Sequence, residues 1–156
     1  MLIRTGPRRG MARLAFIRNQ IFIIAQEPDT GSLPDVVILE GYSHGSSNQA
    51  HYLGEVGGVI RLALYEAGIP YVDIAPQKRA RYATGRGNAG KDDVLQTAVH
   101  RSGRIFDSND AADAWWLWQM GLAHYDPENP HLVQMPARNL EALRGIQWAE
   151  ITNLRY

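Results

Sequence analysis

Cysteine is missing from all 156 residues. Disulfides and thiolate metal sites are therefore excluded, and a reducing cytoplasm is the natural setting. Long apolar runs are missing too: no stretch reaches the roughly 18 consecutive apolar residues of a membrane helix. The arginine-bearing start, "FIRNQIFIIAQ", is interrupted by polar residues and lacks a signal-peptide cleavage pattern, so no membrane partner is expected. Net charge is absent as well, which by itself argues neither for nor against nucleic acid. Acid is unevenly missing. Residues 1–26 hold Arg4, Arg8, Arg9, Arg13 and Arg18 but no carboxylate, and the stretch from Lys78 to Lys91 holds Lys78, Arg79, Arg81, Arg86 and Lys91, again with none. Acids outnumber bases from Asp107 to Glu150. Basic clusters of this kind can follow a phosphate backbone, although two solvated surfaces are the simpler reading of charge alone. Repeats and low-complexity tracts are also lacking.

What is present suits one soluble globular domain. Hydrophobic residues make up 45% and charged residues 21%, and a chain of this length buries roughly 68–70% of its unfolded surface. Helical spacing from about Pro7 to Gln26 predicts an amphipathic helix with outward arginines. "DVVILE" reads as a short buried, parallel strand ending at Glu40, and "PYVDIAP" as a second. Between them lies a helix to about Ala67, capped by Ser46, Ser47 or Asn48. "QKRARYATGRGNAG" reads as a basic, glycine-rich loop. Helices then follow over about Lys91–Ser102 and Asn109–His124, with a loop from Asp126 to Pro136 and a short helix over Asn139–Glu150. The spacing implies a right-handed βαβ crossover in an α/β fold. Two strands are few for so many apolar helical positions, as though the sheet were incomplete.

Three carboxylates carry the chemistry. Asp110 and Asp113, in "SNDAADAWWLW", share one helical face at i and i+3. Taken alone, a capping role for Asn109 or Asp110, with Asp113 complementing the helix dipole, is the simpler account. Glu40 changes the balance, because a glutamate at the C-terminal end of a buried parallel strand stands where α/β folds place their sites. A strand-end and a helix-start carboxylate set can converge. An all-oxygen set without cysteine suits Mg²⁺ or Mn²⁺, and paired ions of this kind support phosphodiester hydrolysis. "TGRGNAGK" is not a phosphate loop, since Asp92 follows Lys91.

The segments "VVILEGYSHGSSNQAHYLGEVGGVIRLALYEAGIPYVDIAPQKRARYATGRGNAGKDDV" and "DSNDAADAWWLW" resemble the RuvC-type Holliday junction resolvases, and are most similar to the RuvC-like proteins of actinobacterial phages. The resemblance implies a ribonuclease-H-like fold over residues 1–125, with a C-terminal extension at 126–156. It implies a Mg²⁺- or Mn²⁺-dependent endonuclease that resolves four-way junctions or other branched DNA in recombination and repair, usually as a homodimer. By motif position, Glu40, Asp110 and Asp113 look like metal ligands and catalytic residues, and Lys91 like a catalytic lysine near the DNA. Strict counting from Pro76 places the family's second lysine at Ala80, flanked by Arg79 and Arg81. Lys78, Arg79, Arg81, Arg86 and Tyr42 are the expected DNA contacts, Tyr42 by stacking on an unpaired base, and His44 is a further candidate beside Glu40. The helix bearing Gly54, Gly57 and Gly58 is expected at the dimer interface.

One departure stands out. The family opens with a β-meander bearing a metal-binding aspartate, and this chain has no acid before Glu27. The expectation is an N-terminally incomplete chain. Its rival function is therefore that of a catalytically impaired protein that binds branched DNA without cutting it.

Overall fold

The computed structural model describes residues 5–25, 31–42 and 50–151, with the side chains of residues 24, 25, 50 and 51 set aside. The elements run α1 (Gly10–Ala25), β1 (Val37–Glu40), α2 (Ala50–Glu66), β2 (Tyr71–Ile74), α3 (Pro76–Thr84), α4 (Lys91–Ser102), α5 (Asn109–Tyr125) and α6 (Ala137–Leu140), with a 3₁₀ turn at Glu141–Leu143. Among the described residues, β1 and β2 form one two-stranded sheet. The Val37 N–H donates to the Pro70 carbonyl and the Gly41 N–H to that of Ile74. This constant offset is the register of a parallel pair. No described helix is long and apolar enough to cross a membrane.

The chain divides into two compact units. The first comprises residues 1–37, 44–72 and 148–156. Its helices α1 and α2 pack together, with Leu14, Ile17, Ala63 and Leu64 buried. An Arg18–Glu66 ion pair of 2.6 Å lies on its surface.

The second unit, residues 38–43 and 73–147, holds all of the candidate site that the structure describes. Its core is aromatic. Trp116 and Tyr82 are wholly buried and meet edge to face at 5.9 Å. The Trp116 indole donates to the Val94 carbonyl at 3.1 Å, which ties α5 to α4. Gly121 lets β1 come close, since a Cβ there would lie 3.2 Å from Ile38 Cγ1. The chain after α5 is pinned by buried polar side chains. Gln119 donates to the His131 carbonyl and accepts from the Val133 N–H, and Asn139 donates to the Tyr82 carbonyl at 2.7 Å. Each buried amide is expensive to leave unpaired, so these bonds fix the path of a segment with little regular structure.

The expected elements mostly recur, with two corrections. "QKRARYATGRGNAG" is not a loop throughout, because its first part is helix α3. Pro76 stands in the first turn, where its missing N–H costs nothing. The Gln-Lys-Arg-Ala-Arg run that follows is made of good helix formers. Gly85, at φ 80°, ends the helix by donating to the Arg81 carbonyl. The final helix is also shorter than expected, covering only Ala137–Leu140 before the 3₁₀ turn. The proposed cap at Ser46, Ser47 or Asn48 lies outside the described residues.

Candidate active site

The site begins with a cap. Ser108, not Asn109 or Asp110, caps α5, accepting from the Ala111 N–H at 3.1 Å. Asp110 is thereby released from capping and stays exposed in the first turn. Asp113, one turn further on, points inward and its side chain keeps only 12% of its exposure. Glu40 stands at the end of β1, 40% exposed.

Arg79 joins these carboxylates. Its position on α3 shares a face with Ala80, Tyr82 and Ala83, all buried, so its side chain is carried inward and is only 8% exposed. Its Nη2 lies 3.1 Å from Glu40 Oε1 and its Nη1 is ion-paired with Asp113 Oδ1. Arg79 Nε finds no acceptor among the described residues. Burial draws the guanidinium's proton affinity down, while the charges of Glu40 and Asp110 hold it up. Arginine remains protonated against such opposing effects. One helix, one strand end and one helix start therefore converge on a single buried cation.

This arrangement bears on the expected metal. The donor set has the right chemistry for a hard divalent ion, being all oxygen. Its geometry does not fit one, because the guanidinium holds Glu40 Oε1 and Asp113 Oδ1. Among the described residues no group of three or more acidic or histidine side chains is gathered to hold a cation.

The expected DNA contacts separate into two kinds. Arg79 is buried and committed to carboxylates, so it does not face a backbone in this state. The others lie on the outside. Lys78 donates to the Arg144 carbonyl at 2.5 Å, Arg81 pairs with Glu141 at 2.8 Å, and Arg86 pairs with Asp93 at 3.0 Å. Exposed pairs of this kind contribute little, typically about 0–1 kcal/mol, so a phosphate can displace the carboxylate at small cost. Tyr42 is exposed in the loop after β1. Lys91 is exposed at the first position of α4 and makes no ion pair with the three carboxylates among the described residues. His44 lies outside the described residues. Sequence reasoning missed the burial of Arg79 and also a cleft of about 390 Å³ beside α4, lined by Arg86, Asp93, Thr97, His100, Arg101 and Arg138 among others. The cleft's signal was weak, since its basic residues come from three separate segments.

No family model matches the chain. Individual proteins do. Over 73 residues, 47% of this chain, it is 40% identical to the crossover junction endodeoxyribonuclease RuvC of Anaeromyxobacter sp. (strain K). It covers only 40% of that protein's length. The RuvC of Synechococcus sp. (strain CC9311) is 31% identical over 120 residues, which is 72% of this chain and 70% of that protein. This chain belongs to the RuvC family. The solved structure of Thermus thermophilus RuvC agrees in fold, with a TM-score of 0.60 at 20% identity, covering 74% of this chain and 71% of that one. The same protein in complex with a Holliday junction substrate gives 0.55 at 19% identity, covering 74% and 72%. The fold is therefore the ribonuclease-H-like α/β fold of RuvC. Within that fold Arg79 pairs with Glu40 and Asp113, and the charge of Asp110 also acts on it.

Proposed function

We propose that this RuvC-family chain is a structure-specific endonuclease that hydrolyses phosphodiester bonds in Holliday junctions or other branched DNA. One observation carries the reading. In a chain related to crossover junction endodeoxyribonucleases, carboxylates from β1 and α5 meet at Arg79 (Glu40 and Asp113 by ion pairs, Asp110 through its charge), with an exposed basic surface on the same compact unit. The proposed catalytic and metal-binding residues are Glu40, Asp110 and Asp113, with Lys91 near the scissile phosphate. The cation this reading calls for is Mg²⁺ or Mn²⁺. Lys78, Arg81, Arg86 and Tyr42 are the proposed DNA contacts, and the basic components make binding salt-sensitive. The place of action is the cytoplasm, of a bacterial host if a phage encodes the chain.

A homodimer belongs to the same reading, with α2 as its contact. Leu62 and Tyr65 on that helix are 56% and 79% exposed, and open space lies over Gly54 and Gly58. Small residues beside exposed apolar ones allow a second helix to approach closely.

A second reading rests on Arg79. A guanidinium seated among the carboxylates favours a protein that binds branched DNA and cuts it poorly or not at all. A labelled four-way junction and a duplex of the same sequence, incubated with and without Mg²⁺ or Mn²⁺ beside an Asp110→Asn control, separate the two. Paired metal-dependent nicks lost in the control support the endonuclease. A retarded but uncut junction supports the second reading. A protein that neither retards nor cuts the junction contradicts both.

A further inference from the structure

We propose that the Arg79 guanidinium is the resident cation of the carboxylate site, holding Glu40 and Asp113 together in the place a divalent ion would take and excluding that ion until it withdraws. The inference uses only the carboxylate set from the proposed function, and it stands whether or not the chain cuts DNA.

Three observations support it. The first is competition for the same atoms. Arg79 Nη2 and Nη1 address Glu40 Oε1 and Asp113 Oδ1, oxygens from two different elements. An ion bridging β1 and α5 would draw on the same two carboxylates. The second is burial. The Arg79 and Asp113 side chains keep 8% and 12% of their exposure, so a divalent ion entering beside the guanidinium would meet a like charge that water does not screen. The third is shape. A planar fork can serve two carboxylates at once, which a spherical ion does by coordination, and a lysine's single ammonium cannot reproduce the fork. The cluster is thus partly neutralised from within the chain. That accounts for two carboxylates held close together beside a third, Asp110, whose charge also acts on Arg79.

The mechanism of withdrawal is local. Arg79 is carried on a nine-residue helix whose outward neighbours, Lys78 and Arg81, are held by one surface contact each. On this proposal a change of rotamer at Arg79 releases both oxygens.

The test reads Mn²⁺ binding to the full chain, without DNA, from the loss of the free-ion signal in electron paramagnetic resonance. Arg79→Met keeps an apolar stem of similar length and removes the charge, and it is predicted to bind Mn²⁺ at least about tenfold more tightly than the unaltered chain. Adding Asp113→Asn to it is predicted to abolish that gain. Circular dichroism reports folding in parallel, and a variant that folds only when Mn²⁺ is added also supports the proposal. Arg79→Lys serves if Arg79→Met stays unfolded with and without the ion. Its single-point contact predicts an affinity above that of the unaltered chain. Unaltered chain, Arg79→Met and Arg79→Lys binding Mn²⁺ equally well would overturn the proposal, as would a gain in Arg79→Met that Asp113→Asn leaves intact. Because no DNA is present, either result leaves the junction-cutting proposal to its own experiment.

Discussion

Arginine meets opposite fates on the two sides of α3. Arg79 faces inward beside Tyr82 and is spent on carboxylates. Arg81, two residues on, points outward to a surface glutamate. The distinction follows from helical geometry, since residues two apart lie on nearly opposite faces. On the proposed function it also divides roles, the inner side setting the state of the carboxylate site and the outer side, with Arg86 beyond the helix, meeting phosphate. A basic count along the sequence treats all of these residues alike, and the fold does not.

The larger effect on stability belongs to the inner side. The Tyr82 phenol is wholly buried and its hydroxyl finds no partner among the described residues. Burial pushes it up to about 12 from its ordinary 10. Below pH 10 the phenol is protonated in both folded and unfolded chains. Between pH 10 and about 12 only the unfolded chain ionises, so stability is lost as pH rises through that window. Two pKa units correspond to roughly 2–3 kcal/mol. Urea unfolding at neutral pH and near pH 12, comparing the unaltered chain with Tyr82→Phe, measures this. The variant should lack that part of the alkaline loss, and at neutral pH it should be as stable as the unaltered chain or more so by about 1 kcal/mol, because an unpaired buried hydroxyl is removed. A destabilised variant would show that the hydroxyl is bonded and the inner side is wrongly described.

The outer side should behave in the reverse manner. Replacing Arg81 and Arg86 together by Gln should change unfolding free energy by less than about 1 kcal/mol, since both pairs are exposed. In junction binding the same variant should weaken affinity and reduce the slope against the logarithm of salt by about two. An unchanged slope would remove these arginines from the DNA surface. A large loss of stability would make them structural after all.

How much of this was legible in the sequence depended on whether the signal was local. "KDDVLQTAVHRS" between Gly90 and Gly103 carries its own stop, acidic first turn and basic last turn, and α4 occupies those residues. "DVVILE" was legible as a strand from its β-branched run, although pairing begins only at Val37. Glu40 was legible as the residue that ends this strand. Helix α3 was not, because its residues were pooled with the glycines of "TGRGNAG" that follow, and composition over the whole stretch reads as loop. The cap on α5 was misassigned by one or two residues because Ser108, Asn109 and Asp110 are all good caps and only backbone geometry chooses among them. Arg79 was the deepest failure. An arginine in a basic run looks solvated, and nothing local reveals that helical phase will carry it to Asp113, 34 positions away in sequence. The clue was its spacing from Tyr82 and Ala83, which places it on an apolar face.

The pairing of Arg79 with Asp113 is the joint on which the carboxylate site depends, and a double-mutant cycle measures it directly. Unfolding free energies of the unaltered chain, Arg79→Met, Asp113→Asn and the double variant give the coupling between the two side chains. A close, buried pair predicts a favourable coupling of at least about 1.5 kcal/mol, with each single change costing more than the second change made after it. A coupling within about 0.5 kcal/mol of zero would mean that Arg79 does not hold Asp113 in solution, and the site would then stand open to a metal ion.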